Sequence, residues 1–87
     1  ISLRRLEFEN RCEQDTKGEK FHVLTLVDGE KVRVRSVEHP ERHFDMDFME
    51  IVCVPADMGK YVIENLGKEP IRIHKTCLRE GYQNDPA

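Results

Sequence analysis

Three side chains near the middle of the sequence have the types and spacing of a metal site. His43, Asp45 and Asp47 are two residues apart, so on an extended strand all three would lie on one face. An imidazole and two carboxylates are suitable ligands for a divalent cation. The alternative is a charged strand edge that discourages sheet-to-sheet association. Because the sequence offers no identifiable fourth ligand, we favour the charged edge.

A second pair of histidines has the spacing of a metal site on a helix. His39 and His43 are four residues apart, which places two imidazoles on one helical face. Pro40 directly follows His39 and disfavours helical backbone there. We therefore interpret both as solvated loop imidazoles.

Two further histidines, His22 and His74, lie in segments that read as strands, and these strands are candidates for neighbours. A single histidine on an apolar strand face is more often a hydrogen-bonded core residue than a ligand, and we favour the core interpretation. Thr76 and Cys77 could act as nucleophiles, but no motif places an acidic residue to orient a histidine beside them.

A basic stripe follows these candidates. Lys31, Arg33 and Arg35 alternate along one predicted strand, so they share its outer face and could attract a sugar phosphate. Three glutamates at positions 30, 38 and 41 are close in sequence. We expect them to cancel most of the positive potential, which leaves a solvated strand face.

Composition limits what these residues can do. The chain has 87 residues, 38% of them hydrophobic, and a net charge of −3. This length suits one small domain with a thin core. An acidic balance argues against a nucleic-acid partner, and no apolar run approaches the ~20 residues that span a bilayer. The chain begins with Ile1 rather than Met, so we expect a piece of a longer polypeptide.

The cysteines indicate a reducing compartment. Cys12, Cys53 and Cys77 are an odd number at wide spacing, unlike the dense, even set of a small secreted domain. We therefore expect a cytoplasmic protein. Cys53 lies in an apolar run and reads as a small core residue.

The elements that must position these residues are strands. Residues 21–27 alternate with a period of two, and His22, Leu24 and Leu26 share one face. Both faces carry apolar groups, which predicts a central strand. Asp28-Gly29 follows, a dipeptide typical of tight turns with positive φ, so we predict a hairpin with the strand at 31–35.

Four more segments read as strands, at 5–9, 47–54, 60–65 and 71–77, with polar loops at 10–19 and 38–43. Six short strands separated by turns predict an all-β antiparallel jelly-roll, sandwich or barrel. Residues 1–87 form one domain in this interpretation, with a frayed tail at 79–87. The predicted core consists of Leu6, Phe8, Phe21, Val23, Leu24, Leu26, Val32, Val34, Phe48, Ile51, Val54, Tyr61, Ile63, Ile71 and Ile73.

Three segments resemble a known family. They are Phe21–Glu30 (FHVLTLVDGE), Val54–Tyr61 (VPADMGKY) and Asn65–Gly67 (NLG). Together they resemble the C-terminal β-domain of type I mannose-6-phosphate isomerases, members of the cupin superfamily. The resemblance covers roughly residues 5–78 and consists of strand and turn signatures.

The resemblance implies a parent enzyme that interconverts mannose 6-phosphate and fructose 6-phosphate, an aldose–ketose isomerase that usually uses zinc. In this family the zinc ligands lie in the earlier, N-terminal catalytic domain, which would be this chain's partner within the same polypeptide. Metal-binding cupins have a His-x-His pair and a Glu in their first motif and a His in their second. The first motif of this chain has only His22, and Lys60-Tyr61 occupy the place of the histidine in the second. No catalytic, cofactor-binding or metal residue is carried over.

Three functions follow as hypotheses. The first is a non-catalytic C-terminal domain of such an isomerase, with no nucleic-acid or membrane partner. The second is a free-standing cupin-like module that binds a sugar or regulates without catalysis. The third is a small metalloenzyme that uses His22, His74 and the acidic loop around Asp47. The third has the least support, because the sequence shows no converging set of ligands.

Overall fold

In residues 2–79, the part of the chain that the computed structural model describes, eight strands form two four-stranded antiparallel sheets that enclose the core. The strands are β1 (Ser2–Phe8), β2 (Arg11–Asp15), β3 (Lys20–Asp28), β4 (Lys31–Ser36), β5 (His43–Asp47), β6 (Ile51–Val54), β7 (Lys60–Asn65) and β8 (Ile71–Arg79), with a 3-10 turn at Ala56–Met58.

The chain passes repeatedly from one sheet to the other. The first sheet has the order β1-β8-β3-β6, and the second has the order β2-β7-β4-β5. Within the described part of the chain, β4 and β5 are the only consecutive strands that pair with each other. This two-sheet arrangement confirms the predicted all-β antiparallel jelly-roll class.

Alternation along the strands explains how the core forms. In β3, His22, Leu24 and Leu26 are buried, while the residues between them are half-buried on the outer face. The strand lies between β8 and β6, which confirms its predicted central position. The buried apolar residues are Leu24, Leu26, Val32, Val34, Met46, Val54, Met58, Tyr61, Ile63, Ile71 and Ile73.

The predicted core is wrong at four positions. Phe48 and Ile51 are exposed, by 55% and 69% of their surface, because the turn between β5 and β6 puts one in solvent and the other on the outer face. Phe21 and Val23 are only half-buried, on that same outer face. Cys53 is also exposed, because it is two residues from Ile51 and shares its face.

The predicted hairpin at Asp28-Gly29 is also wrong, although its turn chemistry is right. Gly29 has a φ of +119°, as expected for a glycine turn. The chain, however, crosses here from the first sheet to the second, and β4 pairs with β5 and β7 rather than with β3. The dipeptide determines a local reversal of the backbone, but it does not determine which strands pair with β4.

Further boundaries differ from the prediction. Residues 11–15 form β2, although the polar segment 10–19 was expected to be a loop, because this strand pairs with β7 at the edge of the second sheet. Residues 43–47 form β5, although a strand was predicted to begin only at Asp47. The predicted strand 47–54 is broken at residues 48–50, where Met49 adopts a φ of +69°, and resumes as β6.

The end of the chain is only partly covered. β8 extends to Arg79, and the rest of the predicted frayed tail, 80–87, lies outside the described residues. No helix in the described part of the chain is long and apolar enough to cross a membrane.

Candidate functional site

The polar centre of the molecule is a contact between the two sheets. His22 on β3 and Tyr61 on β7 are both buried, and the Nδ1 atom of His22 lies 2.6 Å from the Tyr61 hydroxyl oxygen. The rings meet edge to face, with centroids 5.7 Å apart. His22 therefore is the hydrogen-bonded core histidine that its apolar strand suggested.

Burial keeps both side chains of this pair neutral. Desolvation, together with the nearby positive charges of Lys75 and Lys20, lowers the pKa of His22 to about 4, although Asp15 opposes the shift. Burial also raises the pKa of the Tyr61 hydroxyl, with smaller contributions from the Cys77 and Cys12 thiols. At neutral pH the pair is an uncharged hydrogen bond.

A polar layer surrounds the pair at one end of the sandwich. Lys75 donates a hydrogen bond to Oε1 of Gln14, which joins β8 to β2 across the two sheets. The Nε2 atom of Gln14 lies 3.3 Å from the Cys12 sulfur. Cys77 is the direct cross-strand neighbour of His22. Four polar side chains from two strands, β2 and β8, thus form this layer.

Thr16 fixes the entrance to this layer. Its hydroxyl donates to the carbonyl oxygen of Ala56 at 2.6 Å and accepts from the backbone N–H of Gly59 at 2.9 Å. These bonds hold the end of β2 against the turn that precedes β7. Beside it opens a cavity of about 550 Å³, bounded by Gln14, Thr16, His22, Lys75, Cys77 and several charged residues.

The predicted metal trio lies on the opposite side of the molecule. His43, Asp45 and Asp47 share the outer face of β5 as expected, but each lies opposite a cationic residue of β4. Asp45 accepts from Nε of Arg33 at 2.8 Å, and this bond lowers the pKa of the carboxyl group. Within residues 2–79, no three His, Cys, Asp or Glu side chains converge as metal ligands would.

The other histidine pairs are not brought together. His39 lies in an exposed loop with Nδ1 3.6 Å from Glu41, whereas His43 begins β5. β3 and β8 are neighbours, as expected. His22, however, faces the core, while His74 is opposite Thr25 on the outer face. The metalloenzyme hypothesis needed His22 and His74 on one face.

The basic stripe on β4 is neutralised, but not by the glutamates expected from the sequence. Lys31 pairs with Asp47 at 3.5 Å, and Arg33 pairs with Asp45. Arg35 pairs with Glu64 of β7 at 2.9 Å. The outer face of the second sheet is therefore a ladder of ion pairs.

The outer face of the first sheet is charged at one end and apolar toward the other. Arg72 forms ion pairs with Glu7 and Asp28 at the charged end. Cross-strand register places Leu3, Thr76, Val23 and Cys53 in one row across all four strands. The row between them is mixed, with Arg5 and His74 beside Thr25 and the exposed Ile51. We call this surface, formed by Leu3, Val23, Thr25, Ile51, Cys53 and Thr76, the apolar outer face.

The residues around the cavity were missed by sequence reasoning. Arg4, Gln14, Lys20 and Lys75 come from four strands, so nothing in their sequence spacing links them. The period of two does predict that Lys75 shares a face with Ile73. This shared face identifies Lys75 as a cavity residue only once the register between the strands is known.

Comparison with known structures identifies the fold. The chain is similar to the Schizosaccharomyces pombe Cnp3 cupin domain, with a TM-score of 0.62 and 21% identity over 94% of this chain and 53% of that chain. The chain thus spans about half the length of that neighbour. No protein-family model matches it, and no curated protein does. The fold is that of a cupin.

Proposed function

We propose that this chain is the non-catalytic C-terminal β-domain of a metal-dependent aldose–ketose isomerase that interconverts mannose 6-phosphate and fructose 6-phosphate. The cupin fold is the one that the resemblance implied. Its motifs fall on β3 with the Gly29 turn, on β6 and β7 with the intervening 3-10 turn, and on the residues after β7. Zinc and the sugar phosphate would be bound by the catalytic domain that precedes this one.

The observation that carries the proposal is the apolar outer face, the part of the first sheet that lies away from the Arg72 ion pairs. Charged side chains on the second sheet pair with one another, so this face is suited to water. The apolar outer face exposes Leu3 by 66% and Ile51 by 69%. Leu3 and Ile51 lie on the two edge strands, with the half-buried Val23 and Thr76 between them. Exposed apolar side chains on one face are typical of an interaction site, and a covering domain of the same polypeptide would bury them.

A groove extends this face. It has a volume of about 590 Å³ and is bounded mainly by the apolar groups of Phe21, Cys53, Pro55 and Ala56. Because Cys53 belongs to both the groove and the apolar outer face, the two form one continuous surface. A side chain of the catalytic domain would anchor there, as aromatic and aliphatic anchors do at stable interfaces.

The interior supports a role without catalysis. Isomerisation through an enediol requires a base to move a proton and an electrophile to stabilise the oxyanion. The one buried imidazole of the described chain, His22, is hydrogen-bonded to Tyr61, which belongs to the Lys60-Tyr61 pair that stands where the second cupin motif wants a histidine. This position therefore contributes to the packing of the two sheets.

The experiment compares two substitutions in the longer polypeptide. Ile51→Lys places a charge on the apolar outer face. Val37→Lys places the same charge at an exposed apolar residue away from that face, in the loop between β4 and β5. Docking predicts that only Ile51→Lys exposes the junction to proteolysis and lowers the melting temperature of the parent enzyme. Both variants of the isolated chain should melt like the wild type, because both side chains are already exposed.

The alternative, a free-standing cupin-like module, makes a different prediction. In that case Ile51→Lys has no more effect than Val37→Lys in any longer polypeptide. Equal behaviour of the two variants would therefore contradict the docking role.

A further inference from the structure

We propose that the cavity beside His22 binds a small phosphate-bearing molecule through Arg4, Lys20 and Lys75. This inference concerns the isolated domain and does not depend on the identity of the parent enzyme. It rests on the charge, the position and the partners of the residues that bound the cavity.

The cavity concentrates positive charge in an acidic protein. Five cationic residues and two carboxylates bound it, a balance of +3, whereas the whole chain carries −3. The cationic residues are Arg4, Arg5, Lys17, Lys20 and Lys75, and the carboxylates are Asp15 and Glu19. A concave surface lined by one sign of charge raises the local concentration of oppositely charged ligands.

Two of the cations are held close together by the sheet. Arg4 on β1 is the direct cross-strand neighbour of Lys75 on β8, and like charges in this position destabilise a sheet. Lys75 is half-buried, and its hydrogen-bond partner is the neutral amide of Gln14. An anion between the two side chains would remove the repulsion.

Within the described part of the chain, the cations that bound the cavity are not engaged in ion pairs. Among the described residues, the lysines and arginines in ion pairs are Lys31, Arg33, Arg35 and Arg72. None of these bounds the cavity. Because other exposed cations of the described chain are also outside ion pairs, the cavity is distinguished by the closeness of its cations, above all Arg4 and Lys75.

The size and the inner wall of the cavity indicate the rest of the ligand. A volume of about 550 Å³ is within the range of small-molecule sites. A phosphate offers several acceptor oxygens, which suits converging guanidinium and ammonium donors. Gln14, His22 and Cys77 also bound the cavity. Their polar groups suit a part of the ligand that carries hydroxyl groups rather than charge.

The test is a titration of the ¹⁵N-labelled chain, followed by NMR at constant ionic strength. The probes are glycerol 3-phosphate, inorganic phosphate and glycerol. We expect saturable shifts with glycerol 3-phosphate at the amides of Gln14, His22 and Lys75, and none with glycerol. Lys75→Gln and Arg4→Gln should each weaken binding about tenfold or more, as expected for the loss of a charge-assisted hydrogen bond.

Lys31→Gln is the matched control, because Lys31 lies on the outer face of the second sheet. It should leave the affinity unchanged. Dispersed amide spectra will verify that each variant is folded, and Arg4 is exposed, so its substitution spares the core. The proposal is overturned if no shift saturates, if Lys31→Gln weakens binding as much as Lys75→Gln, or if inorganic phosphate binds and glycerol 3-phosphate does not.

Discussion

The imidazole of His22 and the hydroxyl of Tyr61 form a 2.6 Å contact that joins the two sheets at the polar end of the core. The two residues come from different segments among the three on which the family resemblance rests. A buried polar group that loses its partner retains its desolvation cost, so this contact should matter for stability.

Removal of the Tyr61 hydroxyl should therefore destabilise the fold. We expect Tyr61→Phe to lower the free energy of unfolding by about 1–3 kcal/mol, because the buried Nδ1 of His22 loses its partner. Urea unfolding followed by circular dichroism measures this. Thr25→Val, which removes a hydroxyl from the outer face, should change it by less than about 0.5 kcal/mol. Equal effects of the two substitutions would show that the contact contributes nothing specific.

The low pKa of His22 predicts a pH-dependent stability. Its folded value of about 4 lies below the ordinary 6.5, so between these pH values the unfolded chain binds the proton more readily. The stability is fully present above about pH 6.5 and falls as the pH approaches 4, by up to roughly 3 kcal/mol. Denaturant unfolding from about pH 7 to 4.5 should show a steeper loss for the wild type than for His22→Phe. Parallel profiles would refute this role of His22.

Gly29 should tolerate substitution less well than Gly18. Both have positive φ, +119° and +70°, which a side chain makes unfavourable. A Cβ at Gly29 would also collide with Cδ1 of Ile71, whereas a Cβ at Gly18 meets no atom within 4 Å. We expect Gly29→Ala to cost at least about 1 kcal/mol more than Gly18→Ala in thermal unfolding. A smaller loss at Gly29 would contradict the geometry of this turn.

Two isoleucines test the division between core and surface. Ile63 is fully buried and Ile51 is 69% exposed. Ile63→Ala should lower the free energy of unfolding by about 2–5 kcal/mol, whereas Ile51→Ala in the isolated chain should change it by less than about 0.5 kcal/mol. Chemical unfolding of the two variants under one set of conditions makes the comparison. A large loss at Ile51 would mean that the outer face is covered in the isolated chain.

The period-two pattern predicted the inner residues of β3, β4, β7 and β8, because a half-buried strand repeats every two residues. It could not predict which strands pair. The turn at Asp28-Gly29 looks the same whether the next strand joins the same sheet or crosses to the other, and only the assembled core decides. Ile51 illustrates the related limit, since an apolar residue can belong to an outer face.

The candidate site was less predictable than the fold. The motif comparison pointed to His22 and to Lys60-Tyr61 separately, but His22 and Tyr61 are 39 positions apart in the sequence. β2 escaped detection because its inward residues, Cys12 and Gln14, are not strongly apolar. They face the polar end of the sandwich. The polar inward side chain of Gln14, which made β2 hard to detect in the sequence, is also one that bounds the cavity.

The most direct test of the proposed function is an assay of the purified chain for metal and turnover. Zinc content is measured after exhaustive dialysis, and fructose 6-phosphate formation from mannose 6-phosphate is followed by a coupled assay. The longer polypeptide serves as the positive control. We predict turnover by the longer polypeptide, and neither stoichiometric zinc nor turnover for the isolated chain. Stoichiometric zinc together with isomerisation by the chain alone would contradict a non-catalytic role.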